Sequence, residues 1–99
     1  MVKNDSKKIL IWGAKSKARI IQKMLENMGE SASFLYDSYQ DYPEFETNAQ
    51  FSNSKKDLKI FIDQSTHFIV GIGGEYGMAR YLISQQLIDS NLEPISVIS

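Results

Sequence analysis

One junction limits the choice of fold more than any other. The run Lys8-Ile9-Leu10-Ile11-Trp12 ends in Gly13-Ala14, and an amphipathic helical pattern starts almost at once. A continuous apolar run of this length suits a strand covered on both faces, as in a parallel sheet. From Ser16 to Met28, Ile21, Met24, Leu25 and Met28 recur at helical spacing on one face. Gly29 fits the left-handed residue that closes such a helix. A strand feeding a helix through a glycine turn is the unit from which α/β sheets are wound.

The same unit repeats down the chain. Ser33 to Tyr36 reads as a second strand, ended by Asp37. Ser38 to Ser54 is polar and irregular, and reads as a long surface loop pinned by Phe45 and Phe51. Lys55 to Gln64 reads as a helix capped by Ser54, because a crossover must precede the next parallel strand. His67 to Ile72 is a third strand, leading into Gly71-Ile72-Gly73-Gly74. A helix over Tyr76 to Ser90 follows, with Ala79, Leu82, Ile83 and Leu87 inward, then a last strand over Pro94 to Ile98. The expected fold is a small Rossmann-like, doubly wound parallel sheet of about four strands. Counted along the chain, they lie in the order 2-1-3-4.

Ninety-nine residues make one domain, 1–99, in which 1–6 read as a polar tail. A formal net charge of −1 gives no bulk attraction to nucleic acid or membrane. The cysteine-free sequence excludes disulfides and thiolate metal sites. No apolar stretch reaches the length of a membrane span, and a cytoplasmic protein is expected. His67, the one histidine, starts the third strand, at the end away from the glycine turns. No Ser-His-Asp set and no metal cluster can be assembled, so no catalytic residue and no metal ligand is assigned.

Candidate ligand residues gather at the glycine turns. Backbone N–H groups at a helix N-terminus face an anion, and glycine lets a phosphate come close. Gly13, Ala14, Lys15, Ser16 and Lys17 form the first turn. Lys15 stands where the dinucleotide fingerprint has its second glycine, which weakens an NAD or FAD reading. Asp37 lies roughly twenty residues further on, where such folds grip a ribose hydroxyl. Gly73 and Gly74 form the second turn, and Arg80 in the helix behind it is suited to hold phosphate bidentately. The strand order reverses between the first and third strands, which opens a crevice between these turns. The plainer reading makes both turns structural and the charges solvated surface.

The segments Gly13-Ala14-Lys15-Ser16-Lys17-Ala18, Phe34-Leu35-Tyr36-Asp37 and Ile69-Val70-Gly71-Ile72-Gly73-Gly74, with Arg80 beyond, span nearly the whole chain. In that order they resemble the N-terminal domain of bacterial sugar O- and N-acyltransferases of the sialic acid O-acetyltransferase and bacillosamine acetyltransferase type. The resemblance implies a domain that holds a nucleotide-sugar, a UDP-sugar, at Gly13 to Lys17, Asp37, Gly73, Gly74 and Arg80. Acetyl-CoA would be used by a separate or downstream β-helix domain, so no cofactor is expected in these residues and no catalysis by them alone. Ser16-Lys17 departs from the Gly-His usual in the family. Two other classes stay open: an NAD- or CoA-binding regulatory module, and a protein-interaction domain without a ligand.

Overall fold

The structure, a computed structural model, describes residues 7–72 and 77–95. Five parallel strands form one sheet in the order β3-β2-β1-β4-β5. They are β1 (Ile9–Trp12), β2 (Ala32–Tyr36), β3 (Gln50–Ser52), β4 (His67–Val70) and β5 (Glu93–Pro94). The helices are α1 (Ser16–Asn27), α2 (Lys55–Gln64) and α3 (Gly77–Asp89). This is the expected doubly wound α/β architecture, compatible with a Rossmann-like fold, with one strand more than expected. β3 forms inside the stretch read as loop and adds itself outside β2, where Phe51 pairs with Leu35. The expected order of the other four strands is kept, with the last of them seen as Glu93–Pro94. Ser96 to Ile98 of the expected last strand lie outside the described residues.

Alternation along the strands divides the core into two layers. Ile9, Ile11, Leu35 and Ile69 face α1, where Ala18, Ile21 and Leu25 cover them. Leu10, Phe34, Tyr36 and Phe68 face the other way, under Leu58 and Phe61 of α2 and Leu87 of α3. Ile9, Leu10 and Ile11 are fully buried, as their unbroken apolar run requires. Each stabilises the fold by about 1.5–3 kcal/mol.

The crossover from β2 to β3 has no helix. Phe45, Ala49 and Phe51 pack against the α1 layer in its place. Gln22 of α1 donates to the Glu46 carbonyl at 3.0 Å, and Glu44 N–H to the Ala14 carbonyl at 3.0 Å. The segment is thus tied down over the first glycine turn.

Helix ends follow their local chemistry. Gly29 has φ +80°, Glu30 N–H donates to the Leu25 carbonyl and Gly29 N–H to that of Glu26. That pair of bonds is a Schellman closure. Ser54 caps α2 by accepting from Asp57 N–H at 3.1 Å. Two expected inner faces need correction. Met28 is exposed, one residue past the last turn of α1. In α3, Leu87 is buried and Ile83 half-buried, but Ala79 and Leu82 are exposed.

Candidate anion site at the sheet switch point

Register brings the site residues together. Trp12 pairs with Tyr36 on one side and with Val70 on the other. The next residues, Gly13, Asp37 and Gly71, therefore leave the carboxyl edge side by side. Gly13 N–H donates to the Tyr36 carbonyl at 2.6 Å, and Gly71 N–H to the Trp12 carbonyl at 2.9 Å. Gly13 has φ +139°, and a Cβ there would lie 2.6 Å from the Gly71 carbonyl oxygen. A Cβ on Gly71 would lie 3.0 Å from Ile21 Cδ1. Both glycines are thus required by the approach of one turn to the other. Gly73 and Gly74 lie outside the described residues.

Asp37 is buried at the same edge, 9 % exposed. Its Oδ2 accepts from Ala14 N–H at 3.1 Å and its Oδ1 from Tyr39 N–H at 2.9 Å. The carboxylate expected to meet a ribose also clamps the glycine turn to the chain leaving β2. Each oxygen keeps one lone pair beyond these bonds. Beside it, burial first and the Asp37 charge second push the Tyr36 phenol above its ordinary pKa.

The N-terminus of α1 differs from that of α2. α2 has its Ser54 cap and an acid, Asp57, in its first turn, held by Ser52 Oγ at 2.7 Å. α1 has Lys15 at the N-cap position, no side-chain cap and no acid in its first turn. Its first N–H groups lack helical acceptors, and the positive end of the helix dipole is reinforced by Lys15 and Lys17. Lys15, Ser16 and Lys17 are exposed, while Gly13 and Ala14 are buried.

From this end a cleft of about 820 Å³ runs between α1 and α3. Lys17 and Ile20 line one wall, Arg80, Tyr81 and Ser84 the other, and Ile69 lies between. Lys17 and Arg80 thus share one cleft, whereas Lys15 lies outside its lining. Among the described residues neither cation is in an ion pair. The sequence reading missed Ile20 and Tyr81. Both are off the buried face of their helices, and an apolar residue in that position was the available signal. His67 sits at the far edge, its Nδ1 2.7 Å from Thr66 Oγ1 and its Nε2 3.2 Å from Glu93 Oε1. Among the described residues no group of acids and histidines could hold a metal ion. No helix there is long and apolar enough to cross a membrane.

Fold and site together define an α/β domain with an electropositive helix end at its topological switch point. Comparisons with models of protein families, with curated proteins and with solved structures gave no match to this chain.

Proposed function

We propose that this domain binds a nucleotide-sugar of the UDP-sugar class, with the diphosphate at the N-terminus of α1. In this reading it is the binding domain of a sugar acyltransferase-type protein. Acyl transfer from acetyl-CoA belongs to another domain or chain. The observation that carries the reading is the uncapped, lysine-flanked end of α1 opening into a cleft that also holds Arg80. The N–H groups of Ser16, Lys17 and Ala18 supply donors, and Lys17 and Arg80 supply charge. Asp37 acts mainly by holding Ala14 in place, so recognition rests on the phosphates more than on the ribose.

A second reading has an observation of its own. The Gly13–Gly71 contact accounts for both glycines by packing alone, which suits a protein-interaction domain with structural turns. Titrating the ¹⁵N-labelled protein with UDP-N-acetylglucosamine separates the two. Binding shifts the amide signals of Ser16, Lys17 and Ala18, and Lys17→Ala or Arg80→Ala weakens it about tenfold or more, the loss of one charged hydrogen bond. Unmoved amides at millimolar ligand would reject the nucleotide-sugar reading.

A further inference from the structure

A second opening lies on the other side of the sheet, between α2 and α3, with a volume of about 730 Å³. That is within the range of small-molecule sites. Its floor is aromatic. Trp12 and Tyr36 meet edge to face there, ring centroids 5.0 Å apart. Along α2, Lys55 and Lys59 stand one turn apart on the rim, with Leu58 and Ile62 below them and the acid Asp63 a further turn along, so the positive end of the groove is the Lys55–Lys59 end. Like charges at that spacing repel, and among the described residues neither lysine is in an ion pair. Across the groove, Gln86 and Ser90 of α3 line the facing wall. Trp12 is left only half-buried, although it packs against the α2–α3 layer.

We infer that this groove is a binding site for a planar aromatic anion, a ring carrying one carboxylate or phosphate group. The ring lies against Trp12 and Tyr36, where aromatic packing adds to apolar burial. The anionic group lies between Lys55 and Lys59, and Gln86 offers a further donor. This site does not depend on the nucleotide-sugar reading: the two openings share α3 but no lining residue.

Trp12 is the only tryptophan, so its emission reports on the floor directly. Benzoate and phenyl phosphate are expected to change that emission saturably and to shift the methyl signals of Leu58 and Ile62. Inorganic phosphate, which lacks the ring, and benzyl alcohol, which lacks the charge, are expected to do neither. The Lys55→Ala/Lys59→Ala double variant removes exposed side chains and should bind benzoate at least tenfold more weakly. Lys56→Ala, one residue along and outside the groove lining, should bind as the parent does. Absence of a saturable change with either aryl anion at millimolar concentration overturns the inference. So does equal binding by the double variant, or an equal loss in Lys56→Ala.

Discussion

Replacing Gly13 with alanine puts a methyl group where the backbone of a neighbouring turn already lies. The new Cβ would be 2.6 Å from the Gly71 carbonyl oxygen and 3.0 Å from its carbon. Neither atom can swing aside as a flexible side chain would, so the β1 and β4 turns must part by several tenths of an ångström. Three costs follow. The φ of +139° is one that alanine rarely adopts, at about 1–3 kcal/mol. Forcing the packed turns apart costs about 1–3 kcal/mol. The 2.9 Å bond from Gly71 N–H to the Trp12 carbonyl spans the same junction, and weakening it costs up to about 1 kcal/mol. Together these remove about 2–7 kcal/mol, a large share of the roughly 5–15 kcal/mol of a typical domain. Gly29→Ala is the matched control. Its φ is +80° and a Cβ meets nothing within 4 Å, so only the strain of about 1–2 kcal/mol applies. Urea unfolding followed by circular dichroism should place the Gly13→Ala midpoint below the parent by roughly 1.5 M or more, and well below that of Gly29→Ala. A Gly13→Ala midpoint equal to or above that of Gly29→Ala would refute the packing argument. Gly13 would then have to be explained by something other than the contact with Gly71.

Two further perturbations probe the same edge. Asp37→Asn keeps the shape but loses the charge, and one amide nitrogen then faces a backbone N–H where an oxygen had accepted. A loss of about 2–4 kcal/mol is expected in urea unfolding without any ligand. A change within about 0.5 kcal/mol would show that the clamp is dispensable. The raised pKa of Tyr36 fixes the sign of an alkaline effect. The folded state holds the phenolic proton more tightly than the unfolded chain, so this contribution is intact below pH ~10 and fades as pH rises through the folded value. The urea midpoint should fall over that window in the parent, and Tyr36→Phe should fall less. Parallel pH profiles for the two proteins would contradict the assignment.

Where a residue's role is set by its near neighbours in sequence, reading the chain succeeded. Ile9-Leu10-Ile11 predicts a doubly covered strand, Ser54 a cap, and Gly29 a left-handed closure. All three are seen because burial period, side-chain capping and φ freedom are local properties. β3 escaped because Gln50-Phe51-Ser52 has no apolar run and no β-branched residue, and it is a strand only because β2 offers a free edge. The faces of α3 escaped for a different reason. Met78, Leu82 and Ile88 compete with Ile83 and Leu87 as an apolar stripe, and the pattern alone does not choose between them. Packing chooses, burying Leu87 against the sheet and α2 while Leu82 stays exposed.

The candidate site divides along the same line. That Gly13, Asp37 and Gly71 converge follows from topology, and topology was legible in the alternation of strands and helices. What each residue does there was not, because it depends on contacts across the sheet. Gly13 permits an approach to Gly71, and Asp37 spends its carboxylate on two backbone N–H groups. Both therefore act on the shape of the turn. In the proposed reading the phosphates are held one step along the chain, by the N–H groups of Ser16, Lys17 and Ala18, which have no side-chain cap among the described residues. α2 is the internal comparison. The same kind of strand-to-helix turn there is closed by Ser54 and Asp57. α1 lacks both devices and adds lysines, an arrangement that is electrostatically poor for an isolated helix and improves only when an anion arrives. An anion that binds there should therefore raise the stability of the whole domain in proportion to its occupancy.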